Sequence, residues 1–147
     1  MAEQASWQRL QPFADKVIPQ AVTKGLASLS ESDRTLFLVW SATAEFDNGG
    51  FAQFFFNSVG ENADAAVAAF RRVGADQVAD LLEEAIEMFP GAQVPASLKE
   101  RNTVLDELPD SASEHFEHLD EQFQEFGSDA VMDQLAKYYL DRRDGAA

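Results

Sequence analysis

The sequence predicts an all-α protein, a single compact domain of seven or eight short helices over residues 1–147. Apolar residues make up 46% of the chain and recur at helical spacing, which is enough to build a core. No segment alternates polar and apolar residues with enrichment in β-branched types, so no strand is predicted. Glycine, proline and helix-capping residues interrupt the apolar pattern at short intervals and divide the chain into its predicted helices.

The N-terminal third is predicted to contain two helical regions. The first is one helix or a kinked pair over 6–29, in which Pro12 and Pro19 can each stand at a first helical position. Ser30 is a helix-capping residue that is followed by acids in the first turn. The helix that it opens, over 33–46, is strongly apolar, and we therefore expect it at the centre of the fold.

The Asn-Gly-Gly segment at 48–50 should end this central helix, because these residues tolerate the left-handed backbone conformation. The three phenylalanines at 54–56 place rings on several faces of a short helix, which we interpret as core, or core plus a dimer contact. Asp76 is a predicted cap, and 111–114 fits a capping box. The helices after Gly50 are predicted over 51–58, 63–73, 76–89, 97–108, 112–126 and 129–142.

The motif content of the chain excludes several functional classes. Cysteine is absent, which excludes a disulfide framework, a thiolate zinc site, an iron–sulfur cluster and a cysteine nucleophile. No Gly-x-Ser-x-Gly, Walker or dinucleotide-binding pattern occurs, so we expect no cofactor and no hydrolase. No apolar run approaches the ~18 residues of a membrane span, and the N-terminus lacks a secretory signal. We therefore expect a soluble cytoplasmic protein.

Acidic charge dominates the composition and is unevenly placed. The formal net charge is −15, from 26 acids and 11 bases. Residues 76–125, the acidic segment, hold fourteen acids against Lys99 and Arg101 alone, a net −12. Such a chain repels nucleic acid and anionic membranes and attracts basic proteins. Solubility or adaptation to high salt predicts a more even spread, so this concentration favours an acidic interaction face.

Helical spacing places a row of carboxylates opposite an apolar face on both 76–89 and 112–126, although a solvated helix face also looks like this. One row carries a charge about every 5.5 Å, two rows about every 2.8 Å and four rows about every 1.4 Å, against ~1.7 Å for duplex DNA. Imitation of DNA therefore requires helices or subunits to pool their rows, which favours a homodimer. The predicted contact residues are Asp80, Glu83, Glu84, Glu87, Glu114, Glu117, Glu121 and Glu125.

His115 and His118 are the only histidines, and their i, i+3 spacing can hold a metal together with Glu114 or Glu121. The sequence supplies no apolar shell and no orienting group for such a site. Carboxylates on an open helix face also keep ordinary pKa values, whereas catalytic groups need shifted ones. No catalytic or metal-binding residue is therefore predicted, and a metal protein or enzyme that uses this pair is an alternative function.

Residues 45–60 resemble the signature of the DNA-mimic protein family, whose C-terminal domain carries Asn-Gly-Gly-Phe-x-Gln-Phe-Phe-x-Asn-x-x-Gly. The likeness covers about 28–90 well and the remainder loosely. It implies an all-α domain and, for the namesake of the family, an acidic dimer that occupies the DNA-binding surface of a transcription factor. The signature lies outside the acidic segment, and we interpret it as structural: asparagines cap helix ends, glycines turn the chain and phenylalanines pack. Its residues are Asn48, Gly49, Gly50, Phe51, Gln53, Phe54, Asn57 and Gly60.

These observations together predict a non-enzymatic, cytoplasmic, homodimeric DNA mimic. It should bind the basic DNA-binding surface of a regulatory protein, block the access of that protein to DNA and so regulate transcription. It should bind neither nucleic acid nor membranes. The alternatives are an acidic inhibitor or immunity-type partner of a basic protein unrelated to DNA, the metal protein or enzyme, and a salt-adapted domain without a special partner.

Overall fold

The computed structural model describes residues 4–145, with side chains described as far as residue 142. This part of the chain contains seven α-helices and three short 3-10 turns, and no strand, so the predicted all-α class is confirmed. None of the described helices is long and apolar enough to cross a membrane. The helices are α1 (Ser6–Lys24), α2 (Glu31–Phe56), α3 (Ala63–Arg72), α4 (Asp76–Glu87), α5 (Leu98–Glu107), α6 (Asp110–Phe126) and α7 (Ser128–Gly145).

Helix α2 is the central element, as the apolar pattern over 33–46 predicts. It packs against α1, α3, α5, α6 and α7. Leu36 and Val39 in its first half are fully buried. The predicted cap is also confirmed, because the Ser30 hydroxyl accepts a hydrogen bond from the Asp33 backbone N–H at 3.1 Å. The cap sets where α2 begins, and its apolar positions set which side it buries.

The predicted break at 48–50 is a kink inside α2. The helix continues from Glu31 to Phe56, and Gly50 is the residue with non-helical dihedral angles, φ 85° and ψ −170°. That region of conformational space is accessible almost only to glycine. The Phe51 N–H just after the kink donates to the Asp120 carboxylate of α6, so the helix resumes at once. The predicted break is therefore confirmed at Gly50, and a second helical segment begins directly after it, with a side-chain acceptor from a distant part of the chain for its Phe51 N–H.

The prolines of α1 do not open helices. The helix begins at Ser6 and includes both Pro12 and Pro19, so the predicted first helical position is wrong for each. Both proline rings are exposed. A proline inside a helix removes one backbone hydrogen bond. Water can solvate the carbonyl oxygen that each exposed proline leaves without a donor, which lets the helix continue.

Two other helix starts differ from the predicted ones. Helix α6 begins at Asp110 with Pro109 as its N-cap residue, so the predicted capping box at 111–114 does not form. Asp110 lies in the first turn, where an acid stabilises the positive end of the helix dipole. At α4 the N-cap residue is Ala75, and the predicted cap Asp76 is the first helical residue. It acts on the dipole there without a side-chain capping bond.

Aromatic rings fill the space between α2 and α6. The ring centroid of Phe46 lies 5.2 Å from that of Phe123 on α6, in an edge-to-face arrangement. Phe54 and Phe55 are fully buried, whereas Phe56 is 40% exposed. The core interpretation of this aromatic run is therefore confirmed for the first two rings. These contacts hold α6 against α2 by its apolar face, so the acidic face of α6 turns outward.

Candidate protein-binding face

The acidic rows of α4 and α6 lie side by side, because the two helices pack against each other. The helices run in opposite directions. Near the start of α6, the His115 Nε2 lies 3.9 Å from the Glu84 Oε1 late in α4, whereas Glu125 near the end of α6 shares a groove with Gln77 at the start of α4. Neither helix contains a lysine or an arginine. One chain therefore brings acids of both helices to a shared groove.

A groove of about 500 Å³ separates these two rows. Asp80 and Glu84 stand on the α4 side and Glu125 on the α6 side, and Leu81 and Phe126 contribute apolar surface. A lysine or arginine side chain suits this lining. Its charged end can pair with the carboxylates while its methylene stem covers the apolar surface.

The outer surface of α6 is acidic along its length. The helix buries Phe116, Leu119 and Phe123 on the opposite side. The predicted orientation of this helix is therefore confirmed, and the predicted contact residues on it are open to a partner. These exposed carboxylates are Glu114, Glu117, Glu121 and Glu125.

Arg71 of α3 partly neutralises the α4 row. Its guanidinium donates to Asp80 at 2.8 Å and to Glu83 at 2.6 Å, and it lies 3.7 Å from Asp76. The bonds to Glu83 and Asp80 raise the pKa of Arg71 above its ordinary value, so this base stays charged. The charge count for the acidic segment included only the two bases within that segment, Lys99 and Arg101. It missed Arg71 because this residue precedes the segment in the chain.

The structure does not bring all eight predicted contact residues to one place. Glu83 and Glu87 line a separate recess with Asp64 and Ile86, on the α3 side of α4. They lie at the edge of the α4–α6 surface, and Glu83 is paired with Arg71. We use the name acidic face for the groove and the outer row of α6, which comprise Asp80, Glu84, Glu114, Glu117, Glu121 and Glu125.

Arg101 belongs to the acidic segment but is fully buried. Its guanidinium donates to the carbonyl oxygens of Phe55 and Asn57 at the end of α2, both at 2.9 Å, and to two carbonyls of the loop before α5. Burial lowers the pKa of Arg101, yet an arginine keeps its proton in proteins. Gly60 packs against the same backbone, because a Cβ there would lie 2.8 Å from the Phe55 Cα. Lys99 is therefore the only exposed lysine or arginine within 76–125.

Asp120 of α6 stabilises the bend of α2 and does not belong to the exposed acidic row. It is half-buried, and its carboxylate accepts the Phe51 N–H at 2.8 Å. Burial raises the pKa of Asp120, the Phe51 hydrogen bond opposes that rise, and the Glu117 charge adds a smaller increase. A Cβ on Gly50 would collide with this carboxylate. The glycine of the signature thus makes both the bend and the room for its capping acid, a role that local sequence could not reveal.

Two further signature residues bind Glu45 across the bend. Gln53 Nε2 donates to Glu45 Oε2 at 3.0 Å, and Asn57 Nδ2 donates to the same oxygen at 2.6 Å. Asn57 is the C-cap residue of α2, so its predicted place at a helix end is confirmed, but its side chain binds a carboxylate and not a backbone group. Asn48 is exposed on α2, and none of the hydrogen bonds among residues 4–142 involves its side chain, so its predicted capping role is wrong.

The DMP19-like protein family matches the chain over residues 27–143. The chain belongs to this family. The match runs from just before α2 into α7, so it covers the kinked central helix and the acidic face. DMP19 proteins are a family of DNA mimics, which confirms the resemblance at the level of the family. No curated protein and no solved structure matches the chain.

His115 and His118 have no set of metal ligands around them. Among residues 4–142, no group of three or more histidine, aspartate or glutamate side chains could hold a metal ion. His115 faces Glu84 across the contact between α4 and α6, and His118 is exposed. The alternative metal site thus gains no third ligand from the described residues, and His115 lies at the contact between the two acidic helices.

Proposed function

We propose that this DMP19-like protein is a DNA mimic without enzymatic activity that binds the basic DNA-binding surface of a regulatory protein and thereby keeps that protein off DNA. The observation that carries the proposal is the acidic face. It has carboxylates on two adjacent antiparallel helices and no lysine or arginine on either helix. Membership of a family of DNA mimics supports the same conclusion.

The spacing of the acidic rows suits a partner whose basic side chains normally bind the phosphates of DNA. Successive acids on α6 are three or four residues apart, which is about 4.5–6 Å along the helix axis. Helices in contact lie about 8–10 Å apart, between the ~6 Å and ~12 Å widths of the minor and major grooves of DNA. Two rows of carboxylates can therefore take the place of two phosphate rows for arginine and lysine side chains.

The acting unit in this proposal is a homodimer. Each subunit contributes the six acids of the acidic face, and even two complete rows would carry only about one charge per 2.8 Å, against about one per 1.7 Å for the duplex. Arg71 dilutes the α4 row further, through its bonds to Asp80 and Glu83. A second subunit brings the charge density to the range of DNA.

The test begins by capturing partners from a native lysate at low salt and eluting them with salt. Each captured protein is then bound to labelled duplex DNA, and the acidic protein is titrated into that complex in a gel-shift experiment. We expect release of free duplex at near-stoichiometric amounts, because both ligands compete for one basic surface. Release should become weaker as salt rises, since screening weakens attraction between charged surfaces.

The test variant replaces Glu114, Glu117, Glu121 and Glu125 by glutamine and should no longer release the duplex. The control removes four charges as well, from exposed acids outside the acidic face. Asp15→Asn, Glu100→Gln, Glu107→Gln and Asp141→Asn together form this variant, and it should still release the duplex. If the captured proteins bind no DNA, or if they keep the duplex at saturating acidic protein, DNA mimicry is wrong. Captured basic proteins without a DNA-binding activity would instead identify an inhibitor of another kind.

A further inference from the structure

A second cleft lies between α1, the middle of α2 and the start of α7. Its volume is about 330 Å³, at the small end of the range for ligand pockets. Trp7 of α1 and Trp40 of α2 both line it, and they are the only two tryptophans of the chain. Trp7 is 44% exposed, which is unusual for so large an apolar ring. None of the residues that line this cleft belongs to the acidic face.

Two carboxylates accompany the two indole rings. Asp47 and Asp129 line the cleft, both are exposed, and neither forms an ion pair with any residue in the described part of the chain. Asp47 lies just before the bend of α2, where the carbonyl end of that helix segment adds negative potential. Asp129 lies in the first turn of α7 and offsets the positive end of that helix. The cleft is therefore electronegative and aromatic together.

Thr43 adds a polar group without a partner. It lines the cleft and is only 3% exposed, and its Oγ1 is buried with no hydrogen-bond partner. Buried hydroxyl groups in proteins almost always have such a partner.

We propose that this cleft is a binding site for an organic cation, an alkylammonium or alkylguanidinium group. Trp7 and Trp40 line the cleft, and indole rings attract a cation through their quadrupoles and cover its alkyl stem. Asp47 and Asp129 supply the counter-charges. An anion would meet two carboxylates here, and a neutral ligand would leave both without a partner.

The same chemistry occurs in free amines and in the basic side chains of proteins. The family match begins at residue 27, so Trp7 and the rest of α1 lie outside it, and the cleft goes beyond the proposed DNA mimicry. The two proposals can fail separately, because they use different residues and different measurements.

Tryptophan fluorescence reports directly on this cleft, since both tryptophans line it. The probes are agmatine and cadaverine for free amines, and N-acetylarginine amide and N-acetyllysine amide for protein side chains. N-acetylcitrulline amide is the neutral match for arginine, and sodium chloride keeps the ionic strength constant. We expect saturable changes in emission with the cations and none with the citrulline derivative. Tighter binding of the free amines than of the capped amino acids would identify a small-molecule ligand, and the reverse order a side chain of a protein.

The matched variants remove two charges each. Asp47→Asn with Asp129→Asn should weaken cation binding at least about tenfold, because the counter-charges are lost. Glu107→Gln with Asp141→Asn removes two exposed acids elsewhere and should leave the affinity unchanged. Trp7→Leu should weaken binding about two- to fivefold, which is the range of an exposed cation–π pair, with Trp40 as the remaining reporter. Equal binding of arginine and citrulline probes, or equal affinity in both double variants, would overturn the proposal.

Discussion

At the scale of single residues, the bend of α2 depends on side chains that are far apart in the sequence. Gly50 makes the bend, Asp120 caps the helix that resumes after it, and Arg101 binds the carbonyls at its end. At an ordinary helix end, residues nearby in the sequence satisfy the free backbone N–H and C=O groups. At this bend, Asp120 and Arg101 satisfy such groups from distant positions in the sequence. Their substitution should therefore change stability more than substitution of exposed residues of the same type.

Gly50→Ala should destabilise the protein by about 1–3 kcal/mol, the cost of a strained backbone conformation, plus the cost of moving Asp120. Gly25→Ala is the matched control. Gly25 has a similar conformation, φ 85° and ψ 161°, and a Cβ at this position would have no neighbouring atom within 4 Å. Chemical denaturation of both variants separates strain from collision. Equal losses of stability would mean that Asp120 moves aside without cost.

Arg101→Lys should lower the free energy of unfolding by roughly 3 kcal/mol or more. A lysine cannot reproduce the planar set of donors, so buried carbonyls such as that of Phe55 would lack a partner. Lys99→Met, on the exposed side of the same helix, should stay within about 0.5 kcal/mol of the wild type. Urea titrations measure both values. A tolerated lysine at position 101 would show that water or a rearranged loop can satisfy those carbonyls.

Asp120→Asn should change how stability depends on pH. The folded state raises the pKa of Asp120, so its protonation favours folding, and that contribution is lost as pH rises through the folded pKa. The variant has no charge there, and its amide oxygen can still accept the Phe51 N–H. The stability of the wild type relative to the variant should therefore fall as pH rises above the ordinary range of an aspartate side chain. A relative stability that rises with pH instead would mean that the hydrogen bond to Phe51 outweighs the cost of burial.

At the scale of elements, α6 combines a structural face with a binding face. Its aromatic side fills the core against α2, and its acidic side is exposed. Glu114 lies in the second turn of the helix, because α6 begins at Asp110. It therefore does not complete a capping box, and replacing it removes no cap.

Replacing Glu114, Glu117, Glu121 and Glu125 together by glutamine should stabilise α6 slightly. Three pairs of like charges at i, i+3 or i+4 spacing disappear, each worth about 0.2–0.5 kcal/mol. Binding to the captured partner should nevertheless become much weaker, most of all at low salt. The measurements are a melting curve and a titration at two salt concentrations. A normally folded variant with unchanged affinity would mean that this row is only a solvated helix face.

At the scale of the whole molecule, the net charge of −15 opposes any contact between two copies of the chain. A homodimer of such subunits needs an apolar contact strong enough to offset that repulsion. We predict that the dimer dissociates more readily at low ionic strength, where the charges are least screened. Sedimentation at several salt and protein concentrations measures this. A monomer under every condition would remove the second pair of acidic rows from the proposed function.

Much of the fold and half of the candidate site follow from local pattern. The apolar spacing over 33–46 predicts a central helix, and the acids of 112–126 predict an exposed row, because helical periodicity alone determines which side chains share a face. The split of the α4 row could not be predicted. It depends on which helices flank α4, and Arg71 reaches that row from α3.

The sequence by itself determined the helical class, the acidic character and the aromatic core, since composition and periodicity are local properties of a chain. Only the tertiary structure decided the contact of Asp120 with the bend of α2, the antiparallel contact of α4 with α6, and the burial of Arg101. It also placed Trp7 beside Trp40 in one cleft. Each of these depends on groups that are distant in sequence, so their roles are set by how the helices pack.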